Sequence, residues 1–204
     1  MKTTVKLIPA FIAFAVLGAC SGNSDQKNTL GDSVVKDSAA IAEAVPAAVD
    51  TTLQLTPGIA AGQVHIGQNA EEVYASLGKP DDGDAAMQKA VAIWYKDHDK
   101  KSYATSIYTV RDTGDNPAAR VKQIRITSPA FKTADGVGVS STLDEIKGKY
   151  TLSELTDVKS AESDLAIHDS LKGIAFEMDK QGICKAIIIH KSNEALTSTY
   201  LPLR

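Results

Sequence analysis

The sequence predicts an α+β fold made of two tandem units, each a short helix followed by antiparallel strands, behind an N-terminal leader and a flexible tether. A helix-start motif occurs twice, at Asn69 and Thr142, and a glutamate follows three residues after each. Three runs rich in apolar and β-branched residues follow each motif, with turn-forming residues between them. We therefore divide the chain into a leader at 1–19, a tether at 20–56, a first αβββ repeat at 57–130 and a second at 131–204.

The leader has the layout of a bacterial lipoprotein signal peptide. Two lysines precede a short apolar run that ends in Leu-Gly-Ala-Cys at Cys20. This resemblance implies cleavage before Cys20 and attachment of lipid to its thiol and to the new N-terminus. The apolar run from Leu7 to Leu17 is too short for a membrane-spanning helix, which needs about 20 residues. Ser21 follows the cysteine, and by resemblance to proteobacterial sorting rules this indicates the outer membrane.

The tether and the repeats differ in composition. Residues 21–56 are rich in Ser, Ala, Asp and Asn with little periodicity, which is typical of a flexible linker. In the repeats, Asn69 and Thr142 are expected to cap equivalent helices. The first of these should stop at Gly78, ahead of Pro80. Strands are expected at 90–96, 103–110, 120–127, 164–168, 173–179 and 183–190.

One part of the repeat alignment is irregular. Cys184 occupies the place of Val121, which favours a buried and unreactive thiol over a reactive one. Val121 itself is out of phase with Ile124 and Ile126 in simple strand alternation. If Cys20 carries lipid, Cys184 has no partner for an intrachain disulfide.

The motifs of the first repeat resemble those of a known family. The stretches at 66–73, 77–80 and 94–95 are similar to the pattern G-M-T-x-x-x-V-x-x-x-L-G-x-P … W-x-Y of outer-membrane assembly lipoproteins of the SmpA/OmlA type. β-Lactamase inhibitory protein carries a similar motif twice. Gln68 and Asn69 stand where the family has Met-Thr, and the second repeat lacks the Leu-Gly-x-Pro ending. The resemblance implies a non-enzymatic, protein-binding lipoprotein of the envelope.

Composition and motifs argue against several classes of function. Without residues 1–19, 20 basic residues face 25 acidic ones, so the chain is mildly acidic and a poor candidate for nucleic-acid binding. The sequence contains no G-x-S-x-G, no H-E-x-x-H, no phosphate loop and no dinucleotide fingerprint. Asp97-His98-Asp99 has no second ligand cluster and is interpreted as a solvated hairpin tip. We therefore assign no catalytic residue, no metal ligand and no cofactor.

The main aromatic concentration supplies the candidate interface. It consists of Trp94, Tyr95, Tyr103 and Tyr108. On a strand, Trp94 and Tyr95 point to opposite faces, so one of them is expected to be exposed and available as an interface anchor. Our hypothesis is a lipid-anchored envelope protein that binds another envelope protein through its sheet surface. The alternative is a module that binds a small ligand or a cell-wall fragment in a cleft between the repeats; an enzyme ranks third.

Overall fold

The computed structural model describes residues 51–160, 162, 164–199 and 203. The chain divides into two units, Met1–Val45 and Pro46–Arg204, and every described residue belongs to the second. Cys20, the predicted leader and most of the predicted tether lie outside the described residues. Within the described ranges, no helix is long and apolar enough to cross a membrane.

Strands dominate the described part of the chain. In chain order its strands and helices are β1 (Gln54–Thr56), β2 (Ala60–Ala61), β3 (Val64–His65), α1 (Ala70–Leu77), β4 (Asp82–Ala86), β5 (Lys89–Tyr95), β6 (Ala104–Arg111), β7 (Ala119–Ile126), β8 (Lys132–Thr133), α2 (Leu143–Lys147), β9 (Ser153–Leu155), β10 (Ala166–Ser170), β11 (Ile174–Met178) and β12 (Cys184–His190). Short 3₁₀ turns precede β1 and follow β5.

These strands form two sheets. The large sheet has eight antiparallel strands in the order β4-β5-β6-β7-β12-β11-β10-β9. The small sheet has the order β3-β2-β1-β8, in which β1 and β8 run parallel. The small sheet and both helices pack on one face of the large sheet and enclose the main hydrophobic core with it, for example through Leu55, Val73 and Ile146 against Ile124 and Phe176. We call this the core face and the other side the outer face.

The predicted α+β fold of two helix-plus-sheet repeats is wrong, because the described chain is mostly β-sheet. The helices are short, with eight residues in α1 and five in α2. Segments where we expected no strand form further strands, among them β4 and β9. The last residues of the predicted tether, 51–56, form a 3₁₀ turn and β1, where Leu55 is only 1% exposed. The pairing of β7 with β12 links β4–β7 to β9–β12, so that the large sheet is one continuous sheet of eight strands.

A β-bulge in β7 explains the irregular alternation near Val121, and β12 contains a similar bulge next to Cys184. Thr109 pairs with Val121 while Tyr108 pairs with Gln123, so Lys122 is an extra residue in β7. This extra residue returns Val121 to the core face that Ile124 occupies. In β12, Lys185 is an extra residue in the same way, between Cys184 and Ala186.

The turns before the two helices make matching contacts. The amide of Gly67 donates to the carbonyl of Val121 at 2.8 Å, and the amide of Ser140 donates to the carbonyl of Cys184 at 2.9 Å. Asn69 caps α1 by accepting from the amide of Glu71 at 3.1 Å. Thr142 caps α2 in a full capping box with Glu145, whose carboxylate accepts from the amide of Thr142 at 2.7 Å. That bond to the Thr142 amide, followed by the one to its side chain, lowers the pKa of Glu145.

Candidate protein-binding surface

An apolar slot of about 210 Å³ opens beside Trp94 on the core face of the large sheet. Leu77 at the end of α1, Ile126 in β7 and Phe131 supply its larger apolar side chains. The remaining lining residues come from the first described turn, the small sheet and β6: Thr52, Ala61, Gly62, Gln63, Val64 and Thr105. Small-molecule sites usually measure about 300–1,000 Å³, so this slot matches one inserted side chain better than a ligand.

The structure fixes the indole of Trp94 in the slot. Alternation along β5 directs Trp94 to the core face and Tyr95 to the outer face. The Trp94 Nε1 donates to the carbonyl of Gly78 at 3.1 Å, just where α1 ends. The ring centroid of Tyr74 lies 5.9 Å from that of Trp94 at an interplanar angle of 40°. Because the only donor of the indole is already used, the ring offers apolar surface to the slot.

Apolar side chains are also exposed close to the slot. Tyr74, which contacts Trp94, is 38% exposed, and Leu53, next to the lining residue Thr52, is 42% exposed. At the slot lining, the side-chain carbonyl of Gln63 accepts from the hydroxyl of Ser76 at 3.1 Å. A deep apolar centre with a partly polar surround is the usual anatomy of a protein-binding hot spot.

The other three aromatic residues do not share this slot. Tyr95 and Tyr108 lie on the outer face with Val91 and Ile93, and Tyr108 is only 6% exposed. Tyr103 precedes β6 and is 45% exposed. The four aromatics that the sequence groups together therefore occupy different environments, and of these four Trp94 is the one that lines the slot.

Strand addition at the β4 edge of the large sheet is disfavoured. The carboxylate of Asp82 accepts from the amide of Gly83 at 2.9 Å, and the carboxylate of Asp84 accepts from the amide of Ala85 at 2.8 Å. These backbone donors are therefore engaged by the strand's own side chains, and an incoming strand would also meet the carboxylate of Asp84 and the ion pair of Asp82 with Lys100. Recognition through the slot therefore fits this protein better than recognition through the β4 edge.

A charged group is buried on the outer face. Arg125 in β7 donates from Nη2 at 2.7 Å and from Nε at 3.1 Å to the same carboxylate oxygen of Glu177 in β11. The two side chains are 1% and 2% exposed, and Glu162 accepts a further bond from Arg125 at 3.2 Å. Burial opposes the charge of Arg125, but the bonds and charges of Glu177 and Glu162 outweigh it and raise the pKa of Arg125.

A second buried pair fastens the C-terminal segment to the outer face. His190 Nε2 lies 2.8 Å from Asp169 Oδ1, and His190 Nδ1 lies 3.1 Å from the carbonyl oxygen of Lys191. The other oxygen of Asp169 accepts from the amide of Leu196 at 3.0 Å. Burial raises the pKa of Asp169, but the bonds to His190 and to the Leu196 amide outweigh it and leave the pKa lowered. Next to this pair, Gln123 donates to the carbonyl of Thr197 at 2.8 Å.

Sequence reasoning missed both buried pairs, although a signal was present. Arg125 stands between two isoleucines, and Glu177 stands between Phe176 and Met178. An ionisable residue inside such an apolar run needs a partner when the strand is buried on both faces. The pairing itself joins residues 52 positions apart, which no local pattern reveals.

Two larger cavities flank the C-terminal segment on the outer face, with volumes of about 370 and 560 Å³. The larger one is lined by Tyr108, Gln123, His190 and Leu196, among others. It lies where β7 meets β12, although the paired strands leave no cleft in the sheet itself. This cavity is the place where the alternative small-ligand hypothesis would apply.

The other potential metal ligands among the described residues do not come together in a metal site. Among the described residues, no group of three or more His, Cys, Asp or Glu side chains could hold a metal ion. His98 contacts Asp81 instead, with Nδ1 and Oδ1 2.6 Å apart. No family model, curated protein or solved structure matches this chain.

Cys184 is expected to be inert towards thiol reagents in the folded protein. Its side chain is fully buried, and burial, followed by the charge of Glu177, raises its pKa to about 12. Almost no thiolate is then present near neutral pH, and the thiolate is the reactive form. Titration with a chromogenic disulfide should detect Cys184 only after denaturation. Labelling of the native protein at the rate of a free cysteine would contradict the assignment.

Proposed function

We propose that this protein is a lipid-anchored, non-enzymatic protein of the bacterial envelope, placed at the outer membrane. In this proposal it binds another envelope protein, and the slot beside Trp94 receives one apolar side chain of that partner. The observation that carries the proposal is the slot itself: an indole held by hydrogen bond and ring contact beside an open apolar cavity. The lipoprotein signal at Cys20 and the resemblance to SmpA/OmlA-type lipoproteins support the location and the class.

The chemistry of the slot favours a protein partner. Its lining is mostly apolar, and the one polar group of Trp94 is already bonded to Gly78. A small polar ligand needs several convergent donors and acceptors, whereas a partner side chain needs only a desolvated apolar contact. The outer-face cavity of about 560 Å³ keeps a second candidate function open, the binding of a small ligand or cell-wall fragment. A thermal shift with such a fragment, lost in Gln123→Ala, would favour that second function.

Replacing Trp94 with alanine is expected to weaken partner binding by about 2 kcal/mol or more, which is roughly 30-fold in Kd. The substitution removes the aromatic surface on which the inserted side chain packs. The partner is first isolated by crosslinking in the native envelope, and its affinity is then measured by calorimetry. Tyr103→Ala is the control, because Tyr103 is an exposed aromatic that does not line the slot. Equal affinities of both variants would refute the proposed site, provided that their melting curves show both to be folded.

Replacing Cys20 with serine is expected to abolish lipid attachment. The variant should accumulate as an unprocessed precursor or appear in the soluble fraction, because the acyl chains are the proposed membrane anchor. Membrane fractionation combined with intact mass measurement checks this. A processed Cys20→Ser protein that remains in the membrane fraction as the wild type does would show that the anchor is not the lipid.

A further inference from the structure

Two exposed aliphatic side chains stand on neighbouring turns. Ile59, in the turn between β1 and β2, is 56% exposed, and Leu171, in the turn between β10 and β11, is 62% exposed. The amide of Gly58 donates to the carbonyl of Gly173 at 3.0 Å, so the two turns are in direct backbone contact. We call Ile59, Leu171 and their two turns the aliphatic platform.

Backbone geometry holds the platform in place. Gly58 has φ of 74° and Gly173 has φ of 88°, a region that favours glycine. A Cβ on Gly173 would lie 2.5 Å from the Cα of Gly58, so the turns can approach this closely only without side chains there. The amide of Asn193 also donates to the carbonyl of Leu171 at 2.7 Å. The two aliphatic side chains are therefore presented by a fixed structure.

Lysines accompany the platform. Lys172 directly follows Leu171, and its Nζ lies over the Tyr150 ring, 5.1 Å from the centroid. Lys191, two residues before Asn193, is 67% exposed and forms an ion pair with Glu194. Exposed aliphatic groups beside lysines suit the boundary of an anionic bilayer, where the apolar groups enter and the ammonium groups meet the headgroups.

The platform is also close in sequence to the proposed lipid anchor. Residues 21–50 separate Cys20 from the first described residue, Thr51, and Pro57 begins the first platform turn. At about 3.5 Å per residue, this segment can span no more than about 100 Å. Such a short link keeps the effective concentration of the bilayer high, so even a weak contact is populated.

We propose that the aliphatic platform is a membrane-contact surface that seats the domain on the bilayer carrying its lipid. Ile59 and Leu171 enter the headgroup region. On contact, Lys172 exchanges the Tyr150 ring and the Lys149 carbonyl for an anionic headgroup, and Lys191 exchanges Glu194 for another. The inference rests on the anchor of the proposed function and is independent of the Trp94 slot.

Spin labels on the full lipidated chain test this inference. Single Ile59→Cys and Leu171→Cys variants are labelled and reconstituted in vesicles of phosphatidylethanolamine and phosphatidylglycerol. Met87→Cys is the matched control, since Met87 is 75% exposed on the β4–β5 turn. Buried Cys184 should not react with the label. We expect labels at 59 and 171 to be several-fold less accessible to an aqueous nickel complex than the label at 87. Equal aqueous accessibility at all three positions would overturn the inference.

Three further readouts separate the possible failures. Mass spectrometry of the same samples reports lipid on Cys20. If lipid is absent, the anchor fails, and added vesicles then test the platform on chains that also carry Cys20→Ser, so that the introduced cysteine alone takes the label. Spin–spin broadening at 171 that disappears on dilution with unlabelled protein would identify a second copy as the occupant and overturn the membrane assignment. In phosphatidylcholine vesicles, a rise in the aqueous accessibility of the labels at 59 and 171 would support the role of the lysines. Unchanged low accessibility would refute that role.

Discussion

Replacing Glu177 with alanine is expected to destabilise the fold by about 3–5 kcal/mol, because it leaves the buried charge of Arg125 without its main partner. Arg125 is 1% exposed, and its side chain donates two hydrogen bonds to the carboxylate of Glu177 and a third to Glu162. The acceptor of the third bond, Glu162, is 62% exposed and cannot replace a buried carboxylate. Urea denaturation followed by circular dichroism measures the free energy of unfolding.

A double variant provides the control for this prediction. Arg125→Met with Glu177→Leu replaces both charges by apolar groups of similar length, and we expect it to recover most of the lost stability. Recovery would show that the single variant suffers from an unpaired charge and not from lost side-chain volume. A loss below about 1 kcal/mol in Glu177→Ala would contradict the account, since that is typical of an exposed pair.

Replacing Asp169 with alanine should cost about 3 kcal/mol or more, because it removes two acceptors at once from a buried site. His190 loses its carboxylate partner, and the amide of Leu196 loses its acceptor. The C-terminal segment should consequently loosen from the outer face. Chemical denaturation reports the global loss, and hydrogen exchange of the Leu196 amide reports the local one.

Asp169→Asn is the matched control, because an amide can accept from Leu196 and donate to a neutral His190 imidazole. We expect it to lose much less stability than the alanine variant. It also tests the pH dependence. The pKa of Asp169 is lower in the fold than its ordinary 3.8, so its contribution is present above that pH and lost as the pH falls through the folded value. Asp169→Asn should lack this acid-sensitive part; equal acid sensitivity in both proteins would contradict the assignment.

Local sequence patterns located most of the long strands of the large sheet. The runs that predicted strands at 103–110 and 183–190 correspond to β6 and β12 within one residue. The N-caps at Asn69 and Thr142 were also visible, because capping depends on a few adjacent residues. Strand β4 was not visible, since its Asp, Gly and Ala residues rarely form strands. Its pairing with β5 supplies what its own sequence lacks.

The candidate surface was only partly predictable, because local patterns do not show which distant segments come together. Trp94 was conspicuous as the single tryptophan of the chain, and alternation showed that it and Tyr95 face opposite sides. The slot was not predictable, because its lining residues come from separate segments between Thr52 and Phe131. The predicted α+β architecture of two repeats was wrong, because β7 pairs with β12 and joins all the strands of the large sheet into one sheet.

Photocrosslinking from the slot in the native envelope would show whether a partner protein binds there. A photoreactive amino acid replaces Gln63, an exposed lining residue, and in a control protein it replaces Glu154 on the edge strand β9. We expect one crosslinked protein adduct from position 63 and no such adduct from position 154. The adduct from position 63 should disappear when Trp94→Ala is added. No adduct at position 63, or the same adduct from both positions regardless of Trp94, would contradict a partner bound at the slot.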